Sequence, residues 1–125
     1  PNTAAAAQEA LLAADFPRTI RVVLAQETDT WQFTADINDR IEAKMAKRSF
    51  EELAWLELWR NWMVDQGGFK QRLPKGIEIR FTQLPLDPVQ RVMFVTEIRR
   101  RDRVLATKEL DSPALGWAIF EAFLG

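Results

Sequence analysis

Apolar residues along this chain change their spacing several times, and each change marks a predicted element. From Thr19 to Ala25 they alternate, with Ile20, Val22 and Leu24 on one side and Thr19, Arg21 and Val23 on the other. That is the period-two pattern of a half-buried strand. Beyond it, Phe33, Ile37, Ile41 and Met45 recur every fourth residue and so stack on one face of a helix. Asp29 followed by Gln32 resembles a capping box at that helix's start. Ahead of the strand, Ala4 to Ala14 reads as an Ala-rich helix carrying Leu11 and Leu12, opened by Asn2 or Thr3 and ended before Pro17.

Ser49 with Glu52 forms a second capping box and opens a helix through about Val64. Trp55, Trp59 and Trp62 fall at i, i+4 and i+7 in it, flanked by Leu56 and Met63. Core packing is the simpler reading of such a stripe. The other is one wall of an apolar ligand pocket, with indole N–H groups as polar handles. Gly67-Gly68 stops the helix, and Pro74-Lys75-Gly76 turns the chain into a strand with Ile77, Ile79 and Phe81 opposite Glu78, Arg80 and Thr82, ended by Pro85 and Pro88. Val89 to Ile98 alternates again, and Val104 to Leu110 returns from it. The turn between them holds Arg99, Arg100, Arg101, Asp102 and Arg103. It reads either as a phosphate-binding patch or as a solvated hairpin tip; the second is favoured because no aromatic interleaves it and Asp102 and Glu97 dilute its charge. Ser112-Pro113 supplies an N-cap and a first helical proline for a last helix, Ala114 to Leu124. Apolar residues cover nearly its whole circumference, so it must be buried, in the domain or against a partner.

Runs of helices and runs of strands that do not alternate predict an α+β fold, with helices on one face of a mostly antiparallel sheet. Neither an internal repeat nor a low-complexity linker divides the chain, so residues 1–125 read as a single domain. Three or four strands make a small sheet for this much helix.

Composition narrows the chemistry. With 125 residues, 47% apolar and 28% charged, the chain can bury a core without disulfide staples. Net charge is −1 and basic residues are scattered among acidic ones, which argues against nucleic acid as a partner. There is no Cys, His or Tyr. The first two absences remove thiolate nucleophiles, Ser-His and Cys-His pairs and the usual zinc ligands; the third removes a phenolic acid, base or oxyanion donor. The expectation is no metal and no cofactor, and an enzyme built here would depend on carboxylates, Lys, Arg, Ser, Thr or backbone groups.

In order and spacing, several segments together resemble the chalcone isomerase-like family, and within it the non-catalytic branch of fatty-acid-binding proteins and bacterial members. They are EALLAADFPRTIRVVL at Glu9 to Leu24, WQF and the long helix at Trp31 to Met45, LPKG at Leu73 to Gly76, and ALGWAIFEAFLG at Ala114 to Gly125. The resemblance implies an apolar cleft between sheet and helices. It also implies opening strands ahead of the Ala/Leu-rich helix, which carry the family's cleft arginine; this sequence starts at that helix, so the expectation is that an N-terminal segment holding those strands has been cut off or left out of it. Arg21 lies on a different strand and does not take that role. The catalytic Tyr, Asn and Ser/Thr positions of chalcone isomerases match Phe33, Arg40 and Ala122, so a chalcone-type intramolecular lyase is disfavoured.

The leading expectation is therefore non-catalytic binding of a fatty acid or similar apolar molecule, with Phe33, Ile37, Trp55, Trp59, Phe120 and Ala122 as ligand-binding residues. The alternative is an assembly module whose exposed sheet edge pairs with another chain. Relatives include plastid and exported proteins, so an address on a removed N-terminal segment is compatible with plastid or periplasm.

Overall fold

The computed structural model describes residues 17–65, 72–85 and 94–124. The expected helix over 4–14, the Gly67-Gly68 stop and the first residues of the strand expected from Val89 lie outside them. Among the described residues, six strands and three helices follow in order: β1 (Arg18–Val23), β2 (Thr28–Asp29), α1 (Thr30–Met45), α2 (Phe50–Val64), β3 (Arg72–Leu73), β4 (Glu78–Gln83), β5 (Phe94–Arg100), β6 (Arg103–Leu110) and α3 (Pro113–Leu124).

Four strands form one antiparallel sheet in the order β1-β4-β5-β6. Alternation sets their faces: Ile20 pairs with Phe81 and Val22 with Ile79, and these side chains turn toward the helices while Thr19, Arg21 and Val23 turn away. The turn expected at Pro74-Lys75-Gly76 is present, and Gly76 adopts φ 87°, a conformation glycine reaches without strain. Its N–H donates to the Leu24 carbonyl at 2.8 Å, and the Leu24 N–H donates to the Ile77 carbonyl at 3.0 Å, so the link after β1 is tied to the start of β4. The sequence reading lacks the short β2–β3 ladder, because two residues carry no periodicity.

Helix ends follow the expected caps, with partners changed. The Asp29 carboxylate accepts from the Gln32 N–H at 2.6 Å, while the Gln32 side chain donates forward to Asp36. Ser49 Oγ accepts from the Glu52 N–H. The Glu52 carboxylate accepts from Ser112 Oγ at 2.6 Å, and that same Oγ caps α3 by accepting from the Leu115 N–H. A hydrogen bond from Thr30 Oγ1 to the Val64 carbonyl, 3.0 Å, fixes the start of α1 beside the end of α2.

The core lies between sheet and helices. Ile79, Phe81, Phe94, Ile98 and Leu110 meet Ile41, Met45, Leu56, Trp59, Met63, Leu115 and Ile119, all buried. Each such side chain contributes roughly 1.5–3 kcal/mol by leaving water. Phe81 is central, stacked on Phe94 with ring centroids 6.2 Å apart and tilted against Phe123 at 5.4 Å. α3 is buried as its composition demands, packed on β4, β5, α1 and α2. Its close approach to the sheet shows at Gly116, where a Cβ would stand 1.7 Å from Gln83 Oε1 and the end of that side chain would have to move.

Candidate functional site

Among the described residues β1 is an end strand of the sheet and α3 crosses nearby, which leaves a groove of about 250 Å³ between them. Trp117, Phe120, Glu121 and Leu124 line it from α3 at i, i+3, i+4 and i+7, one face of the helix. Arg18, Thr19 and Ile20 line it from β1. Its apolar surface comes from Ile20, Trp117, Phe120 and Leu124, the last 75% exposed. The Trp117 indole N–H is buried without a hydrogen-bond partner. Lys44 Nζ, in the last turn of α1, and the Arg48 guanidinium, just beyond it, lie 6.0 and 5.6 Å from the centre of the Trp117 ring, which places two cations at an aromatic face.

A second groove of about 500 Å³ runs between α1 and α2, beside an exposed Trp31. Thr34, Asn38 and Arg60 of its polar lining are engaged in hydrogen bonds. Arg60 donates to Asn38 Oδ1 at 2.8 Å and to Glu57 at 2.5 Å, and also pairs with Glu42. The hydrogen bond from Arg60, then that from Asn38, holds the Glu42 carboxyl below its ordinary range.

On the sheet face turned from the helices, Glu78 accepts from Arg21 at 2.7 and 2.9 Å and from Arg80 at 2.7 Å. Arg99 Nε stands 3.9 Å from the same carboxylate. Burial pushes the Glu78 carboxyl up, but hydrogen bonds and charge from Arg21 and Arg80 together outweigh it and hold the group below the usual carboxylate range. Among the described residues, no three His, Cys, Asp or Glu side chains gather closely enough to hold a metal ion.

The six expected ligand-binding residues do not share one opening. Phe120 lines the β1–α3 groove. Phe33, Ile37, Trp59 and Ala122 belong to the buried core, and Trp55 packs at its margin. Trp59 is fully enclosed, and its Nε1–H donates to Thr96 Oγ1 at 3.0 Å. Of the positions expected from the resemblance to match catalytic residues of chalcone isomerases, Arg40 and Ala122 come together, but through Arg40 Nη1 donating to the Ala122 carbonyl at 3.0 Å. That bond satisfies a carbonyl in the last turn of α3 and places a cation at the helix's negative end. Sequence reasoning did not single out Trp117, Leu124 or β1 as a lining; the 117, 120, 121, 124 spacing was the available signal.

No family model matches this chain, and no curated protein matches it. Among solved structures, a fatty-acid binding protein of Arabidopsis thaliana superimposes with a TM-score of 0.63 at 14% identity, over 94% of this chain and 53% of that one. The chain thus spans about half the length of the structure it matches. The likeness establishes the architecture: the chain has an α+β, chalcone isomerase-like fold.

Proposed function

We propose that this chain binds a fatty acid or similar apolar molecule without transforming it, with the acyl chain lying in the groove between β1 and α3. The observation that carries the reading is the lining of that groove: Ile20, Trp117, Phe120 and the exposed Leu124 along one open channel. At about 0.8 kcal/mol per methylene buried, partial enclosure of an acyl chain gives useful affinity without a catalytic group. A volume of about 250 Å³ falls just short of the roughly 300–1,000 Å³ typical of small-molecule sites, so the groove takes part of a long chain rather than all of it. Phe33, Ile37 and Ala122 would touch the ligand only if it entered further between α1 and α3. The fold shared with a protein described as fatty-acid binding supports the same reading.

The test is titration of delipidated protein with a fluorescent fatty acid, beside native mass spectrometry of the protein as purified. Saturable binding, weakened about tenfold or more by Leu124→Asp, is expected, because a carboxylate placed on the channel wall must lose hydration beside an acyl chain. Leu124 is exposed, so this change leaves the fold intact. Protein that neither retains nor takes up a lipid overturns the proposal.

A second reading has one observation in its favour: among the described residues β1 pairs with β4 on one side only, leaving an edge on which another chain could add a strand. Size-exclusion chromatography separates the two readings, since a monomer at all concentrations argues against the edge as a self-pairing surface.

A further inference from the structure

Among the described residues, most arginines are matched to a partner. Arg21, Arg60, Arg72, Arg80 and Arg99 each meet a carboxylate, and Arg40 meets a carbonyl. Arg100, Arg101 and Arg103 differ: all three are exposed at the β5–β6 turn, and among the described residues none is joined to another side chain. The register brings a fourth cation to the same end. Glu78, the first residue of β4, pairs with Arg99, and just before it the Pro74–Gly76 turn presents an exposed Lys75. Asp102 is the one acid at the tip. A chain of net charge −1 has therefore gathered, against one acid, four cations without an ion-pair partner among the described residues at one end of its sheet.

Apolar groups stand beside them. Val104 and Leu105 are consecutive, and a strand would ordinarily turn one of them inward. The register shift at Ile98/Arg99 leaves both in solvent, 43% and 37% exposed. Val23 lies in the same row across the sheet, through Glu78 and Arg99, and is 58% exposed. Clustered basic residues with adjoining aliphatic side chains suit a surface that is anionic outside and apolar just beneath. Nucleic acid fits less well, since no aromatic side chain stands at the tip to stack on a base.

We propose that this end of the sheet docks on the surface of an anionic lipid bilayer, with Arg100, Arg101, Arg103 and Lys75 among the headgroup phosphates and Val104 and Leu105 at the interface. The β1–α3 groove opens near Arg18, which pairs with Gln83 at the opposite end of the sheet, so a docked molecule keeps its groove free. The proposal stands on the tip's own charge and exposure and does not depend on what the groove binds.

Flotation of the full chain with phosphatidylcholine vesicles, with and without one third phosphatidylglycerol, tests it. Binding to the anionic vesicles alone is expected, and it should fall as salt is added. The triple variant Arg100→Gln, Arg101→Gln, Arg103→Gln should lose about fivefold in partitioning per arginine, on the order of a hundredfold in all. The pair Val104→Ser, Leu105→Ser should also weaken vesicle binding. Equal binding to neutral and anionic vesicles, or a triple variant that binds like the parent with an unchanged circular dichroism spectrum, overturns the proposal. So does serine-pair binding equal to the parent together with full displacement by duplex DNA, which would make the tip a nucleic-acid contact.

Discussion

The two faces of the sheet use the same strands and hold together by different physics. Toward the helices, alternate residues bury Ile79, Phe81, Phe94 and Ile98, and the polar Thr96 is matched by the Trp59 indole. Away from the helices, the intervening residues build a charged cluster in which Glu78 is gripped by Arg21 and Arg80 and Glu97 accepts from Arg99. The inner face depends on shape and on neutral hydrogen bonds, so pH and salt should hardly touch it. The outer face depends on ionisation. A single residue step along a strand thus decides which variable the molecule responds to.

The largest effect that would break this contrast is on the inner face. Phe81→Ala should cost about 3–5 kcal/mol in denaturant unfolding, because Phe94, Phe123 and Trp59 all lose a partner around the cavity. Thr96→Val keeps shape but strands the buried Trp59 N–H, and should cost about 1–3 kcal/mol at every pH in the same measurement. Glu78→Gln should behave differently. The folded carboxyl lies below its unfolded value, so its contribution is present above the unfolded value of about 4.3 and is lost as pH falls through the lower folded value. Acid titration of the variant should therefore show a shallower loss of stability than the parent over that window; an identical slope would mean that the cluster contributes nothing. The smallest effect has the opposite sign. Arg101 sits at φ 57°, and Arg101→Gly should raise stability by about 1 kcal/mol or less, read as a small rise in Tm.

Faces were easier to read than neighbours. The alternations at Ile20, Val22 and Leu24 and at Ile79 and Phe81 predicted the correct inward sides, because a period of two is a local property of the chain. The burial of α3 was legible for a similar reason, since an almost wholly apolar circumference has nowhere else to go. The tryptophan stripe divided: Trp59 is sealed while Trp55 and Trp62 are only partly buried, a distinction set by what packs on α2 rather than by spacing. The groove was not legible. It exists because β1 pairs with β4, nearly sixty residues later, and leaves its other side toward Leu124 and Phe120. Pairings of that range depend on the assembled sheet and leave no mark in the pattern of either strand. Arg40 illustrates the same limit, because its acceptor is a backbone carbonyl on α3.

The Ser112 hydroxyl bonds at once to the first turn of α3 and to Glu52 in the first turn of α2. Neither helix start can fray alone without releasing the other's contact, so the two ends should open as one cooperative unit. Native-state hydrogen exchange would then find the amides of Glu52 and Leu115, distant in sequence, exchanging with a common opening free energy. Ser112→Ala would let those two clocks run separately.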